Sequence, residues 1–197
     1  NGLAARQDLV LIAVHPPDAE KVLGAIAPAL KAGAIVISLM PKLTLAQISG
    51  MLGGFNRIVR IIPNAPSMVL SGYNPVVFSE GIATGDRALV GTLFESLGRY
   101  FEAPEQNLEA YAVISAMAPT YFWFQWKKLV DLGEEFGLDH QESKEAVLQC
   151  MYGSLETIFT SGIPLTEVLD LIPFKPIGAY EKEIEAIYEK QLKALYA

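Results

Sequence analysis

The sequence predicts an α/β domain with a parallel sheet, followed by a region built from helices alone. As far as Pro104, short apolar runs rich in β-branched residues alternate with amphipathic runs, which is typical of strand–helix–strand units. From Asn107 onward only helical periodicity continues. Among the 197 residues, 51% are hydrophobic and 19% charged, which is enough for one or two well-packed domains. We therefore predict domains at residues 1–104 and 105–197.

Three strands are predicted in the first part of this domain. Asp8 to His15 is a continuous apolar run, the pattern of a strand that is covered on both faces. Ala34 to Met40 is predicted as a second buried strand, and Arg57 to Ile62 as a third strand that Pro63 ends. Helices are predicted between them, from Asp18 to Ala32 and from Thr44 to Leu52. Because strands and helices alternate, we expect parallel strands joined by right-handed crossovers.

Two further strands complete the predicted sheet. They run from Tyr73 to Ser79 and from Arg99 to Ala103, with an amphipathic helix from Ala83 to Leu97 between them. Pro75 lacks an amide hydrogen for a strand ladder, so we expect the first of these strands at an edge of the sheet.

The stretch from Asn107 to Phe136 is predicted to be one long helix whose first half is apolar on every face. A second copy of the chain, in a symmetric dimer, is the expected cover for such a helix. A membrane span is disfavoured because the unbroken apolar run is shorter than the roughly 20 residues that a bilayer needs. Pro119 removes a backbone donor and is expected to kink or break the helix, which leaves the carbonyl of Ser115 without its usual partner. A ligand-binding corner and a purely structural kink both fit this pattern.

Three more helices are predicted after that stretch. The first runs from Gln141 to about Ser161, and Asp139 and Glu142 have the spacing of a capping box at its start. A short helix follows from Pro164 to Leu171, and a terminal helix begins at Gly178.

Bulk properties argue against several classes of partner. The formal net charge is -7 and no basic run occurs, which disfavours nucleic acid and anionic membranes as partners. The single cysteine, Cys150, excludes an internal disulfide and fits the reducing cytoplasm. No group of histidine, cysteine and acidic residues has metal-ligand spacing, so no metal site is predicted. Since the sequence starts without methionine and soon enters a buried strand, we expect it to begin in the middle of a fold.

Chemistry is expected where the parallel strands end. Ligands of open parallel sheets bind beyond the carboxyl ends of the strands, which here are the segments 14–16, 38–40 and 63–66. His15 could contact a phosphate or donate a proton there, although it could equally be a polar turn residue. No glycine-rich loop follows a strand; Gly53 and Gly54 follow a helix and so do not form a phosphate cradle.

Four segments together resemble the pyrroline-5-carboxylate reductase family. They are DLVLIAVHPP, IVISLM, RIVRIIPNAPSMVLSGYNPVVF and ISAMAPTYFW, and the likeness extends from Asp8 to about Gly162. The resemblance implies a Rossmann-type dinucleotide-binding domain, incomplete because its first βαβ unit with the glycine loop is absent. It also implies an all-helical dimerisation domain that forms a homodimer.

By the same resemblance, the chain is expected to transfer hydride from NADPH or NADH to the C=N bond of a small carboxylate substrate, as in proline biosynthesis. Ser115 and Thr120 fall in the family's substrate segment and are the expected catalytic residues. The expected cofactor-binding residues lie at the three strand ends: Ala13, Val14, His15, Pro16, Ser38, Leu39, Met40 and Asn64.

The sequence departs from the family's pattern at several of these places. His15 stands where the family has lysine, and Ser115-Ala116-Met117-Ala118 stands for Ser-Gly-Ser-Gly. Three hypotheses stay open: a reductase acting on another substrate, the family's own activity with altered contacts, and a non-catalytic dimeric relative that serves as an interaction module.

Overall fold

The computed structural model describes residues 2–196, which divide into two compact units. The first unit extends through Ala118 and contains the sheet; the second runs from Pro119 to Leu195 and is helical. The predicted fold class, a Rossmann-type α/β part followed by an all-α part, is confirmed. The functional division of the chain after residue 104 stays a prediction.

A five-stranded sheet lies at the centre of the first unit. Its spatial order follows the chain, with β1 Leu9–Ile12, β2 Ile35–Ser38, β3 Ile58–Ile61, β4 Gly72–Phe78 and β5 Gly98–Glu102. The first three strands are parallel, as predicted. Strand β4 runs antiparallel to β3, and β5 is parallel to β4. The sheet is therefore mixed, because residues 62–71, which include the 3-10 segment Ala65–Val69 and no crossover α-helix, join β3 to β4.

Two predictions about individual strands are wrong. Strand β1 lies at an edge of the described sheet and is not covered on both faces, since Leu11 is 57% exposed. Strand β4 is an inner strand despite Pro75. Pro75 cannot donate to a neighbouring strand, but its carbonyl accepts a hydrogen bond from the amide of Ile62 at 3.2 Å.

Helices cover both faces of the sheet. They are α1 Gly2–Ala5, α2 Ala19–Ile26, α3 Leu45–Met51 and α4 Thr84–Glu95. Helix α2 ends six residues before the predicted Ala32, because Pro28 interrupts it and a 3-10 turn follows. Apolar residues of the sheet pack on these helices in two clusters, one around Leu23 and Ile48 and the other around Val90 and Phe94.

The predicted long helix is broken into three parts. Helix α5 Leu108–Tyr111 is followed by a π-helical turn, Ala112–Ala116, and then by α6 Ala118–Glu135. The amide of Met117 donates to the carbonyl of Ala112 at 3.0 Å, which is the i to i−5 bond of a π turn. The prediction of one continuous helix is therefore wrong, and the expected break next to Pro119 is confirmed. A π turn of this kind is frequent at functional sites.

The second unit is helical, with long helices and the four-residue α8. After α6 come α7 His140–Thr160, α8 Leu165–Val168 and α9 Glu181–Tyr196. The predicted capping box at the start of α7 is present, since Asp139 and Glu142 exchange side-chain and backbone hydrogen bonds. Within residues 2–196, no helix combines the length and apolar character that crossing a bilayer demands.

Candidate active site

The loops after β1 and β2 lie side by side at the carboxyl end of the sheet. The amide of Leu39 donates to the carbonyl of Ile12 at 2.9 Å, which ties the loop after β2 to the last residue of β1. In the first loop Ala13 and His15 are exposed, whereas Val14 and Pro16 are half-buried. The backbone of His15 is extended, directly before a 3-10 turn that starts at Pro16. This loop therefore offers an imidazole and backbone to a ligand.

The predicted residues of the second loop contribute less to an open surface. Ser38 and Met40 are 0% and 1% exposed, and the Met40 amide donates to Ser38 Oγ at 3.2 Å. Their side chains shape the loop from within, and Leu39 between them is half-buried. A ligand would meet this loop through its backbone and Leu39.

Asn64 and Ser115, 51 residues apart in the chain, are brought together beyond the end of β3. Asn64 Nδ2 donates to Ser115 Oγ at 3.3 Å, and Asn64 Oδ1 accepts from the amide of Tyr73 at 3.0 Å. The Ser115 hydroxyl also donates to the carbonyl of Tyr73 at 3.5 Å. These bonds set the orientation of the Asn64 amide. Both side chains are half-buried, so a small ligand could reach them.

Asn74, which the sequence interpretation missed, binds the backbone of Asn64. It is 0% exposed, and its Oδ1 accepts from the amide of Asn64 at 3.3 Å and from Ser67 Oγ at 3.1 Å. The Asn74 side chain thereby ties strand β4 to the turn that carries Asn64. The available signal was an amide side chain inside the otherwise apolar run GYNPVVF.

A second missed feature is a buried ion cluster, which we call the Arg60 clasp; it comprises Arg60, Glu105 and Glu109. Arg60 Nη1 lies 2.9 Å from Glu105 Oε1, and Arg60 Nη2 lies 2.9 Å from Glu109 Oε1. The Arg60 side chain is 2% exposed, while the two carboxylate side chains are 30% and 28% exposed. An arginine inside the apolar run RIVRII was the signal that could have found it.

Aromatic side chains brace the segment that leads to Ser115. The ring of Tyr111 lies 5.4 Å from that of Phe101 and 6.3 Å from that of Tyr73, measured between centroids. Leu108 and Ala112 of the same segment are buried against Ile62 at the end of β3. The π turn is thus held against the sheet on two sides.

Thr120, the other predicted catalytic residue, lies in the first turn of α6 and is exposed. It belongs to the second unit, and its catalytic role stays a prediction. Residues 2–196 contain no group of three or more histidine, cysteine, aspartate or glutamate side chains arranged to hold a metal ion.

Comparisons with known proteins agree with the resemblance drawn from the motifs. A family model described as NADP oxidoreductase, coenzyme F420-dependent, matches residues 1–42. The pyrroline-5-carboxylate reductase of Pseudomonas aeruginosa is 24% identical over 97% of this chain and 70% of its own length. That of Mycobacterium tuberculosis is 28% identical over 74% of this chain and 51% of its own length.

A solved structure shows the same relationship. Plasmodium falciparum pyrroline carboxylate reductase with NADP bound is 29% identical, with a TM-score of 0.84 over 98% of this chain and 76% of that protein. The chain is similar in sequence and fold to pyrroline-5-carboxylate reductases. It spans about half of several curated members of that family and 70% of the Pseudomonas one.

Proposed function

We propose that the chain is part of an NAD(P)H-dependent reductase that transfers hydride to the C=N bond of a small carboxylate substrate. The observation that carries the proposal is the meeting of Asn64 with Ser115 at the carboxyl end of β3. This meeting occurs in a chain related to the pyrroline-5-carboxylate reductases. When bound, the reduced nicotinamide would supply the hydride.

The residues at this edge fit the nicotinamide half of such a cofactor. The loop of Ala13 to Pro16 presents backbone and the exposed His15 imidazole, and the second loop presents backbone beside Leu39. NADP is bound by the Plasmodium relative, and both NADP and NAD are candidates here. Of the predicted cofactor residues, Ser38 and Met40 would act by shaping their loop, since their side chains are buried.

Asn64 and Ser115 can hold a substrate without acid–base chemistry of their own. The amide nitrogen of Asn64 has a second hydrogen to donate, whereas the Ser115 hydroxyl donates its hydrogen to the Tyr73 carbonyl and keeps one lone pair as an acceptor. Asn64 would donate to a substrate carboxylate, Ser115 would accept from a protonated imine nitrogen, and together they would place the imine carbon for transfer. Catalysis would then come mainly from positioning.

The first experiment uses the protein encoded by the whole gene. NADPH and NADH are titrated by fluorescence, and nucleotide oxidation is followed with 1-pyrroline-5-carboxylate and with a six-membered cyclic imine carboxylate. We expect micromolar binding of one nucleotide and turnover of one imine. Absence of both binding and turnover would refute the reductase function.

Two variants then test the site itself. Ser115→Ala is expected to lower kcat/KM by about tenfold to a hundredfold, because one positioning hydrogen bond is lost. Ser71→Ala is the matched control, since Ser71 is an exposed serine whose hydroxyl contacts only the carbonyl of Val69 in this part of the structure. Equal kinetics of the two variants would rule out Ser115 as a substrate contact.

We further propose that the helical unit forms a homodimer. Leu148, Tyr152, Leu155 and Phe159 follow helical spacing on α7 and are 53% to 76% exposed. Such an apolar stripe is suited to packing against a second copy of the same helix.

A non-catalytic dimeric relative is the second candidate. Met117, which stands where the family has a small serine, favours this candidate. A stable dimer that neither binds nucleotide nor reduces an imine would support this alternative.

A further inference from the structure

We propose that the Arg60 clasp positions Ser115 against Asn64. Arg60, Glu105 and Glu109 would act as positioning residues, because they reach the reacting groups only through other residues. The inference rests on the proposed reductase function. It adds that the ion pairs of the clasp keep Ser115 and Asn64 in contact with each other.

The clasp joins three separate segments of the chain. Arg60 lies in β3, and its two carboxylate partners lie one helical turn apart at the start of the segment that leads to Ser115. Glu105 Oε1 also accepts from the amide of Leu45 at 2.6 Å, and Glu109 Oε1 accepts from the amide of Lys42 at 2.8 Å. One guanidinium therefore holds β3, the segment after β2 and the segment before the π turn together.

The clasp is close in sequence to both members of the pair. Asn64 follows Arg60 by four residues, and Ser115 follows Glu109 by six. Because so few residues separate the clasp from Ser115 and from Asn64, displacing segment 105–109 from β3 would also move Ser115 away from Asn64. A misplacement of about 1 Å can cost a hundredfold in rate.

The geometry requires a guanidinium. Each terminal nitrogen of Arg60 binds a different carboxylate, and the Arg60 side chain itself is only 2% exposed. A lysine would retain the positive charge, but its compact ammonium does not reproduce the two-pronged arrangement of donors.

Strand β3 and the residue before it offer a matched control. Arg57 pairs with Asp86 at 2.9 Å and donates to the carbonyls of Ala34 and Gly81. It is likewise an arginine that ties the sheet to a carboxylate, but at the opposite end of β3 from Asn64. Arg57→Lys therefore measures the effect of weakening an arginine–carboxylate ion pair of the sheet that lies away from Asn64.

The first test is hydrogen exchange of the backbone amides from Ala112 to Met117, and it needs no activity. Arg60→Lys is expected to speed exchange at these amides at least tenfold, while Arg57→Lys leaves them within twofold of the unmodified protein. Unchanged exchange in Arg60→Lys, or an equal rise in both variants, would overturn the inference. If Arg60→Lys does not fold, Glu109→Gln takes its place.

The second test is a kinetic double-mutant cycle with Ser115→Ala. Arg60→Lys is expected to lower kcat about tenfold by itself, and to lower it by less than twofold when Ser115 is already alanine. Additive losses would show that Arg60 acts on stability alone and would contradict the inference. If the unmodified protein shows no reductase activity, the proposed function fails, and the hydrogen-exchange comparison still decides whether the clasp positions Ser115.

Discussion

The sheet unit and the helical unit differ in what covers their apolar side chains. In the sheet unit, the buried apolar residues extend from Ala5 to Val113 and form clusters on both faces of the sheet. Between Pro119 and Leu195, the residues described by the structure include only one buried side chain, Ser143. Hydrophobic residues are almost as common in these helices as in the sheet unit, yet most of their side chains are exposed.

This contrast follows from geometry. A sheet closed by helices on two faces buries its apolar residues within one chain, whereas long helices joined by short turns leave an apolar stripe on their outer side. We infer that the sheet unit is stable by itself, and that the helical unit depends on association. Four predictions test this difference, in decreasing order of expected effect.

Leu155→Glu is expected to dissociate the proposed dimer, weakening association at least a hundredfold. Leu155 is 53% exposed in one chain, so a carboxylate there costs a monomer little, but a partner helix would bury it unpaired. Sedimentation over a concentration series measures the effect. Lys21→Gln, which makes the same change of charge at an exposed position of α2, is the control. An unaltered dimer in Leu155→Glu would contradict the proposed difference between the two units.

Gly72→Ala is expected to destabilise the sheet unit by about 2 kcal/mol without altering association. A Cβ at Gly72 would lie 2.2 Å from Ser67 Oγ and 2.5 Å from the carbonyl of Leu97, so the turn beneath Asn64 must shift. Urea unfolding measures the change. Gly24→Ala, in an open position of α2, is expected to be neutral or slightly stabilising; equal effects of the two variants would contradict this account.

The two capping boxes allow the same change in each unit. Thr44→Ala and Asp139→Ala are each expected to cost about 1 kcal/mol, since each removes a side-chain acceptor from the start of a helix. Thermal melts at several protein concentrations distinguish the two units. We expect the midpoint of the transition that Asp139→Ala lowers to depend on protein concentration, and the midpoint that Thr44→Ala lowers to be independent of it. Identical concentration dependence would show that the units do not differ as proposed.

The smallest expected effect concerns Asp131 on α6. The hydrogen bond from Lys127 Nζ, 2.7 Å from Asp131 Oδ2, lowers the pKa of this carboxyl below its usual range. Because the pKa in the folded protein is lowered, this pair stabilises the folded state above the ordinary aspartate pKa, and the contribution is lost as pH falls through the lowered value. NMR titration measures the pKa of Asp131. Lys127→Met is expected to return this pKa to the ordinary range. An unchanged pKa in Lys127→Met would exclude the Lys127 hydrogen bond as the cause of the lowering.

Local signals in the sequence predicted much of the fold. Apolar runs located all five strands to within a few residues, and the spacing of Asp139 with Glu142 predicted a capping box that is present. The family resemblance also implied that Asn64 and Ser115 belong to one site; the structure brings these two side chains together, and their functional role stays a prediction. These features depend on neighbours a few residues away, or on short patterns, which a single sequence displays directly.

Other features depended on contacts between distant segments. Periodicity could not show that β4 is an inner antiparallel strand, because pairing is decided by the partner strand and the length of the turn between them. It also could not reveal the π turn, nor that Asn74 supports the turn of Asn64.

The sequence by itself determined where strands and helices form and which family the chain resembles, because apolar periodicity, caps and motifs are local properties. Only the tertiary structure decided that Arg60 lies between Glu105 and Glu109 and that Asn64 meets Ser115. The physical reason is that a buried charge or amide must find its partners in space, and here those partners lie 45 to 51 residues away in the chain.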